Sequence, residues 1–242
     1  MVASKRISEW YFPEDTRCGG NLKGAALRYY PLFLDISRRK CIVVGGGSVA
    51  ERKVGRLLAC GARVEVVDRC LTPALAAMKG EGIIVHHDAD YEEAQLRGAF
   101  LVIGATDSDT VNERISRDAR ALAIPVNIVD DPVRCDFILP SVVERGDLLI
   151  AVSTGGKSPA LAKCLRRELE EAYGPEYGVL IEILGELREK VIAGGRSSNE
   201  NRKLFEAVVQ SDILDHIRAK RWGRLKEQIL ELTGVEMEVK PQ

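Results

Sequence analysis

No stretch of this 242-residue chain stays apolar for the roughly 20 residues a membrane-spanning helix needs, so no membrane is expected as a partner. Charge of one sign is also lacking. Against 35 Lys and Arg stand 36 Asp and Glu, a net charge of -1, which leaves no global field to gather nucleic acid or an anionic surface. An anionic ligand would need a local cluster. The six cysteines (Cys18, Cys41, Cys60, Cys70, Cys135, Cys164) include no C-x-x-C pair, which argues against a zinc knuckle or a disulfide framework and fits a reducing cytoplasm. Internal repeats and low-complexity tracts are absent. The N-terminus carries charge but no apolar h-region, so it does not read as a signal peptide. Residues 1–28 are expected to be a disordered or extended leader.

What is present begins near Tyr29. From Lys40 onward, short β-branched runs alternate with helical stretches, the rhythm of a parallel sheet with crossover helices. Strands are expected at Cys41–Val44, Arg63–Val67, Ile83–His86, Phe100–Gly104 and Pro125–Ile128. A helix from Val49 to Cys60 would end at Gly61, while Thr72-Pro73 and Asp109 read as helix starts. The fold class is therefore α/β, a Rossmann-type domain over 29–140. After Asp131-Pro132 the rhythm changes. Phe137–Val143 and Leu148–Val152 read as two strands joined by a turn at Glu144–Asp147. Ser158-Pro159 gives an N-cap and a first-turn proline for a helix ending near Tyr173. Residues 141–174 would then form a small α+β segment, and 175–242 a helical domain broken at Gly194–Ser198.

The first strand runs straight into Gly45-Gly46-Gly47-Ser48-Val49-Ala50, a G-x-G-x-x-A fingerprint at a strand-to-helix turn. Gly45 permits the turn, Gly47 lets backbone N–H groups approach a diphosphate, and Ala50 lets the helix lie close to the strand. A diphosphate would rest on the positive end of the helix that starts near Ser48. Asp68, at the end of the second strand, stands where a carboxylate accepts hydrogen bonds from the adenosine ribose and disfavours a 2′-phosphate, which points to NAD. Arg69 pulls the other way, since a guanidinium there could pair with that phosphate. The bland alternative is a tight strand-to-helix connection and nothing more.

Several runs together resemble the precorrin-2 dehydrogenase family, which includes the N-terminal half of sirohaem synthases and the yeast dehydrogenase/ferrochelatase. They are 30–34 (YPLFL), 44–53 (VGGGSVAERK), 105–107 (ATD), 127–130 (NIVD), 137–141 (FILPS) and 151–159 (AVSTGGKSP). The resemblance is close from about Tyr29 to Leu169. It implies NAD-dependent oxidation of precorrin-2 to sirohydrochlorin, in some members also ferrous iron insertion, and an interlocked homodimer built on the segment after the Rossmann domain. By that similarity Asp130 is the general acid/base, and Ser48, Val49, Arg69 and Cys70 fall at positions that contact NAD, with Thr106 counted among them. Thr154 lies where some relatives carry a serine linked with regulation by phosphorylation. The residues after the shared region are too few for the methyltransferase domain of bifunctional sirohaem synthases.

That chemistry removes a hydride and a proton, so it needs an acceptor ring and a base within hydrogen-bond reach. Asp130 ends a parallel strand beside the expected crevice; its bland reading is an Asp-Asp-Pro turn. A polycarboxylate tetrapyrrole also needs cations. Arg52, Lys53, Arg134, Lys157, Lys163 and Arg166 are candidates, Lys53, Arg134, Thr154 and Lys157 above all, although charges on helices more often face water. The same holds for the basic run His216–Lys226. His86 and His87 are adjacent in a strand and point to opposite faces, so no resident metal is expected. Cys135 reads as a small buried hydrophobe, with contact to iron in transit as the alternative. The competing functions are a non-catalytic NAD-binding regulatory module and a Rossmann dehydrogenase of another small metabolite.

Overall fold

The structure is a computed structural model that describes residues 28–238. All of the expected leader except Arg28 lies outside the described residues. Two compact units emerge among them, divided between Leu139 and Pro140.

The first unit is a five-stranded parallel sheet in the order β3-β2-β1-β4-β5. Its strands are β1 (Lys40–Val44), β2 (Arg63–Val67), β3 (Val85–His87), β4 (Leu101–Gly104) and β5 (Val126–Ile128). The crossover helices are α1 (Ser48–Ala59), α2 (Pro73–Gly80) and α3 (Asp109–Ala121). Alternation along β1 splits the core in two, because successive side chains of a strand point to opposite faces. Cys41 and Val43 pack with Ala50, Val54 and Leu57 of α1 and Leu75 of α2. Ile42 and Val44 pack with Ile115 and Ala119 of α3 and with Tyr91 and Leu96. Each fully buried Val, Leu or Ile contributes about 1.5–3 kcal/mol.

Helix ends follow the local sequence. Thr72 and Ser108 accept hydrogen bonds from the first-turn N–H groups of α2 and α3. Gly61 ends α1 with φ +74°, and the bonds Gly61 N to Leu58 O (2.8 Å) and Ala62 N to Leu57 O (3.1 Å) close a Schellman motif. The end of α3 repeats that pattern, Ala123 N to Arg120 O and Ile124 N to Ala119 O, with Ala123 forced to φ +55°.

The second unit opens with the hairpin β6 (Ser141–Arg145) and β7 (Leu148–Val152), followed by α4 (Pro159–Ala172). Four helices complete it: α5 (Glu176–Ala193), α6 (Ser198–Gln210), α7 (Ile213–Arg218) and α8 (Trp222–Thr233). Their shared core includes Leu180, Ile183, Leu187 and Val191 of α5, at helical spacing, with Ile213, Ile217, Leu225 and Ile229. Arg145 ties the hairpin to the end of α4 by donating to the carbonyls of Tyr173 (2.8 Å) and Glu170 (3.0 Å).

Two expected strands are displaced. The third lies at Val85–His87 rather than Ile83–His86, because ladder pairing with β2 begins only at Glu65↔Val85. The first hairpin strand is Ser141–Arg145 rather than Phe137–Val143. Residues 136 and 137 are instead bound to β5, by Asp136 N to Val126 O (2.8 Å) and Asn127 Nδ2 to Phe137 O (2.9 Å). Phe137 accordingly packs on the core of the first unit. The helical tail breaks after Gln210 and Arg218 as well as at Gly194–Ser197, since Ser211 and Lys220 leave helical geometry.

Candidate functional site

All five strands of the first sheet are parallel, so the loops after β1, β2, β4 and β5 gather on one edge, where ligands of such sheets sit. In the glycine loop, Gly45 has φ +123°, and a Cβ there would lie 2.3 Å from Ala105 O. At Gly46 a Cβ would lie 1.9 Å from Cys70 O. Those two glycines let the loops after β4 and β2 close against the turn. At Gly47 a Cβ would meet no protein atom within 4 Å, so that side is open. Gly47 is also the N-cap of α1 and offers no side-chain acceptor, and Ser48 beside it is exposed. The first N–H groups of α1 therefore face open space under a helix dipole, a cradle that fits a diphosphate. Val49 is half-buried, and Ala50 is fully buried where α1 meets the sheet.

After β2, one carboxylate oxygen of Asp68 accepts from Cys70 N (2.9 Å), which shapes the turn and keeps Cys70 exposed at the edge. The neighbouring Arg69 is held bidentately by Asp90, Nε to Oδ1 and Nη2 to Oδ2, both 2.8 Å. That pairing holds the Arg69 pKa above and the Asp90 pKa below their usual values. The Arg69 guanidinium thus already has a carboxylate partner, a pairing that competes with a 2′-phosphate. After β4, Thr106 is clamped by Asn112, whose Oδ1 accepts from the Thr106 hydroxyl (3.0 Å) and whose Nδ2 donates to its carbonyl (2.9 Å).

Asp130 follows β5 on the same edge. Val129 N bonds to Gly104 O (2.9 Å), extending the ladder by one residue, and Asp130 then turns out with φ +60° and is exposed. Adjacent strands are ~4.8 Å apart, so Asp130, two strands from β1, stands about 10 Å along the edge from the glycine loop. The turn itself is made by its neighbour. Asp131 accepts from Val133 N (3.1 Å) and Arg134 N (3.3 Å) and pairs with Arg134 (3.0 Å). The Asp130 carboxylate has no hydrogen-bond partner among the described residues. Half-buried Lys53 on α1 faces the same charge: burial lowers its pKa, Arg52 adds to this, and Asp130 followed by Cys135 opposes it.

The other expected cations are more scattered. Arg134 is engaged by Asp109 and Asp131, so its charge is already satisfied. Arg166 pairs with Glu170 within α4. Lys157 and Lys163 are exposed on the second unit. Thr154 accepts from Ser158 N (3.1 Å), shaping the entry to α4. In the run 216–226, Arg218 pairs with Glu176 and Asp215, Arg224 with Glu227 and Lys226 with Glu238.

His86 bonds through Nε2 to Asp68 O (2.7 Å), and His87 to Glu65 (2.7 Å). The Cys135 thiol is buried among Ile128 N, Ile128 O and Asp131 O, which holds the β5 turn, and burial raises its pKa. The sequence reading missed Gly46, Asp90 and Asn112. Only the middle glycine of the run offered a signal, and its need arises from a carbonyl that folding brings within contact.

Comparison with known proteins agrees with this geometry. Residues 32–141 match an NAD(P)-binding family, and 145–172 match the family described as sirohaem biosynthesis protein central. A sirohaem synthase of Methylobacillus flagellatus is 45% identical over 187 residues, 77% of this chain and 40% of the relative. Another, of Nitrosospira multiformis, is 41% identical over 80% of this chain and 42% of its own length. The chain thus spans about two fifths of the length of these curated relatives. Among solved structures, SirC, a precorrin-2 dehydrogenase, aligns with a TM-score of 0.70 over 84% of this chain and all of its own, at 24% identity, a likeness of fold.

Proposed function

We propose that this chain, which is similar to sirohaem synthases over about two fifths of their length, oxidises precorrin-2 to sirohydrochlorin with NAD. The observation that carries the reading is the exposed, unpartnered carboxylate of Asp130 on the same sheet edge as the open cradle at Gly47. NAD, when bound, supplies the hydride acceptor. Gly47, Ser48 and Val49 would hold its diphosphate through backbone N–H groups, with Gly45, whose own N–H bonds to Val67 O (2.9 Å), making the turn; Asp68 would take the ribose hydroxyls, and the two loops carrying Arg69 and Cys70 and carrying Thr106 would line the remainder. Asp130 Oδ accepts the proton that leaves the macrocycle as the hydride departs. Lys53, half-buried on α1, offers a cation to the substrate's own carboxylates, with Lys157 as a further candidate.

Ferrous iron as a second substrate rests on the same residue, since metal insertion also requires a base for pyrrolic protons. The resemblance further supports a homodimer through residues 141–174, and Leu149, Leu161 and Leu165 there expose large apolar side chains. The five cysteines among the described residues are free thiols, in keeping with a reducing cytoplasm.

Anaerobic incubation with precorrin-2 and NAD tests the reading. The expected outcome is the sirohydrochlorin spectrum with stoichiometric NADH, and a second arm with Fe2+ reports sirohaem. NAD binding without turnover by folded protein would instead favour the non-catalytic NAD-binding module, and turnover of a different metabolite the alternative dehydrogenase.

A further inference from the structure

The opposite edge of the parallel sheet carries a second concentration of charge that the dehydrogenase reading leaves unused. A cavity of about 330 Å3 is lined there by Arg38, Arg39, Lys40 and Arg63 together with Gly98, Ala99 and Phe100. These residues stand at the starts of β1, β2 and β4. The glycine loop and Asp130 lie beyond the other ends, ~13 Å away along β1 at about 3.3 Å per residue.

The cluster is built by the backbone. Arg38 adopts φ +58°, and the bonds Arg38 N to Gly61 O (2.7 Å) and Arg39 N to Ile36 O (3.0 Å) fix the turn that leads into β1. Arg63 is brought alongside by its N–H, which donates to Arg39 O (2.9 Å). Lys40 forms the floor and is already committed, to Glu65 (3.1 Å) and to the carbonyls of Gln95 and Arg97 (both 3.2 Å). The three arginines are not. Among the described residues none of their guanidinium groups has a hydrogen bond or an ion pair. The Arg39 guanidinium lies over the Phe100 ring, 4.5 Å from its centroid, a cation–π contact that uses none of its N–H donors in a hydrogen bond. The nearby carboxylates are accounted for. Asp35 is bound by Ser37 and feels the charges of Arg39 and Arg38 from outside the lining, and Glu65 is shared between Lys40 and His87.

We propose that this cavity is a binding site for a small polyanion, a molecule carrying two or more phosphate or carboxylate groups, separate from the dinucleotide site. In a chain whose net charge is -1, three arginines lining one cavity without a carboxylate partner among the described residues make a local positive field. Forked donors of this kind match the oxygens of phosphate and carboxylate alike.

Isothermal titration of the full chain with pyrophosphate and, separately, with tricarballylate distinguishes the two sources. Saturable one-to-one binding of at least one of them, with Kd below about 1 mM and weakening as NaCl rises, is expected. The double variant Arg38→Gln/Arg63→Gln should lose at least about tenfold in that affinity, while the affinity for NAD and the thermal midpoint stay within error of the parent. Should that variant fail to fold, Arg39→Gln, which removes a guanidinium from the Phe100 face, gives the same readout. Absence of saturable binding of either anion overturns the proposal, as does binding that survives the substitutions or that NAD displaces competitively.

Discussion

Asp130 and its neighbour differ in what holds them, although the sequence Asp-Asp-Pro could have made both part of one turn. Asp131 builds the turn and binds Arg134, which leaves the Asp130 carboxylate exposed and without a hydrogen-bond partner among the described residues. Because Asp130 sits at φ +60°, the informative substitution is Asp130→Asn rather than Ala, since asparagine tolerates the left-handed region and keeps the backbone. Asp130→Asn should lower the rate of the proposed precorrin-2 oxidation by about 10²–10⁴-fold with NAD affinity unchanged, measured by single-turnover absorbance and by titration. Unchanged turnover would remove the carboxylate from the mechanism. A second residue-scale prediction concerns Asp90. Releasing Arg69 with Asp90→Ala should raise the ratio of kcat/KM for NADP over NAD several-fold, because a freed guanidinium can meet the 2′-phosphate. Steady-state kinetics with both cofactors decides it, and an unaltered ratio would assign cofactor choice to Asp68 alone.

At the scale of the elements, all three helices of the sheet unit end in a Schellman motif. Those of α1 and α2 use Gly61 and Gly82, for which a positive φ costs little; that of α3 places Ala123 at φ +55°. Ala123→Gly should therefore stabilise the unit by about 1 kcal/mol, raising the thermal midpoint by a few degrees in a calorimetric or circular-dichroism melt. A loss of stability would mean that the added freedom of glycine in the unfolded chain outweighs the relief. Element identity was largely legible because α1, α2, α3 and α4 announce their starts or ends in the sequence. Element boundaries were less so. Phe137 looked like the start of the hairpin because β-branched and aromatic residues read as strand wherever they occur. Only the bonds from Asp136 and to Phe137 assign that segment to the edge of β5.

For the whole molecule, two separate cores imply two units of stability, one around the parallel sheet and one among α5 to α8. A ligand held by the first should act on it selectively. With NAD at 100 times its Kd, linkage adds about 2.7 kcal/mol to the state that binds it. Scanning calorimetry is expected to resolve two components, of which only one moves upward with NAD. A single endotherm moving as a whole would show that the units unfold cooperatively.

By itself the sequence determined the alternation of strands and helices, the glycine fingerprint after β1 and the acidic residue after β2, since each depends on residues adjacent in the chain. Tertiary structure alone decided which groups remain available. Arg69 is engaged because β3 delivers Asp90 to it, Arg134 because α3 delivers Asp109, and Gly46 is required because Cys70 O folds onto it. The same folding brings Arg38, Arg39 and Arg63 together without partners among the described residues. The physical reason is that pairing is a matter of distance in space. A charge read along the chain has a sign but no neighbour until strands far apart in sequence are laid side by side.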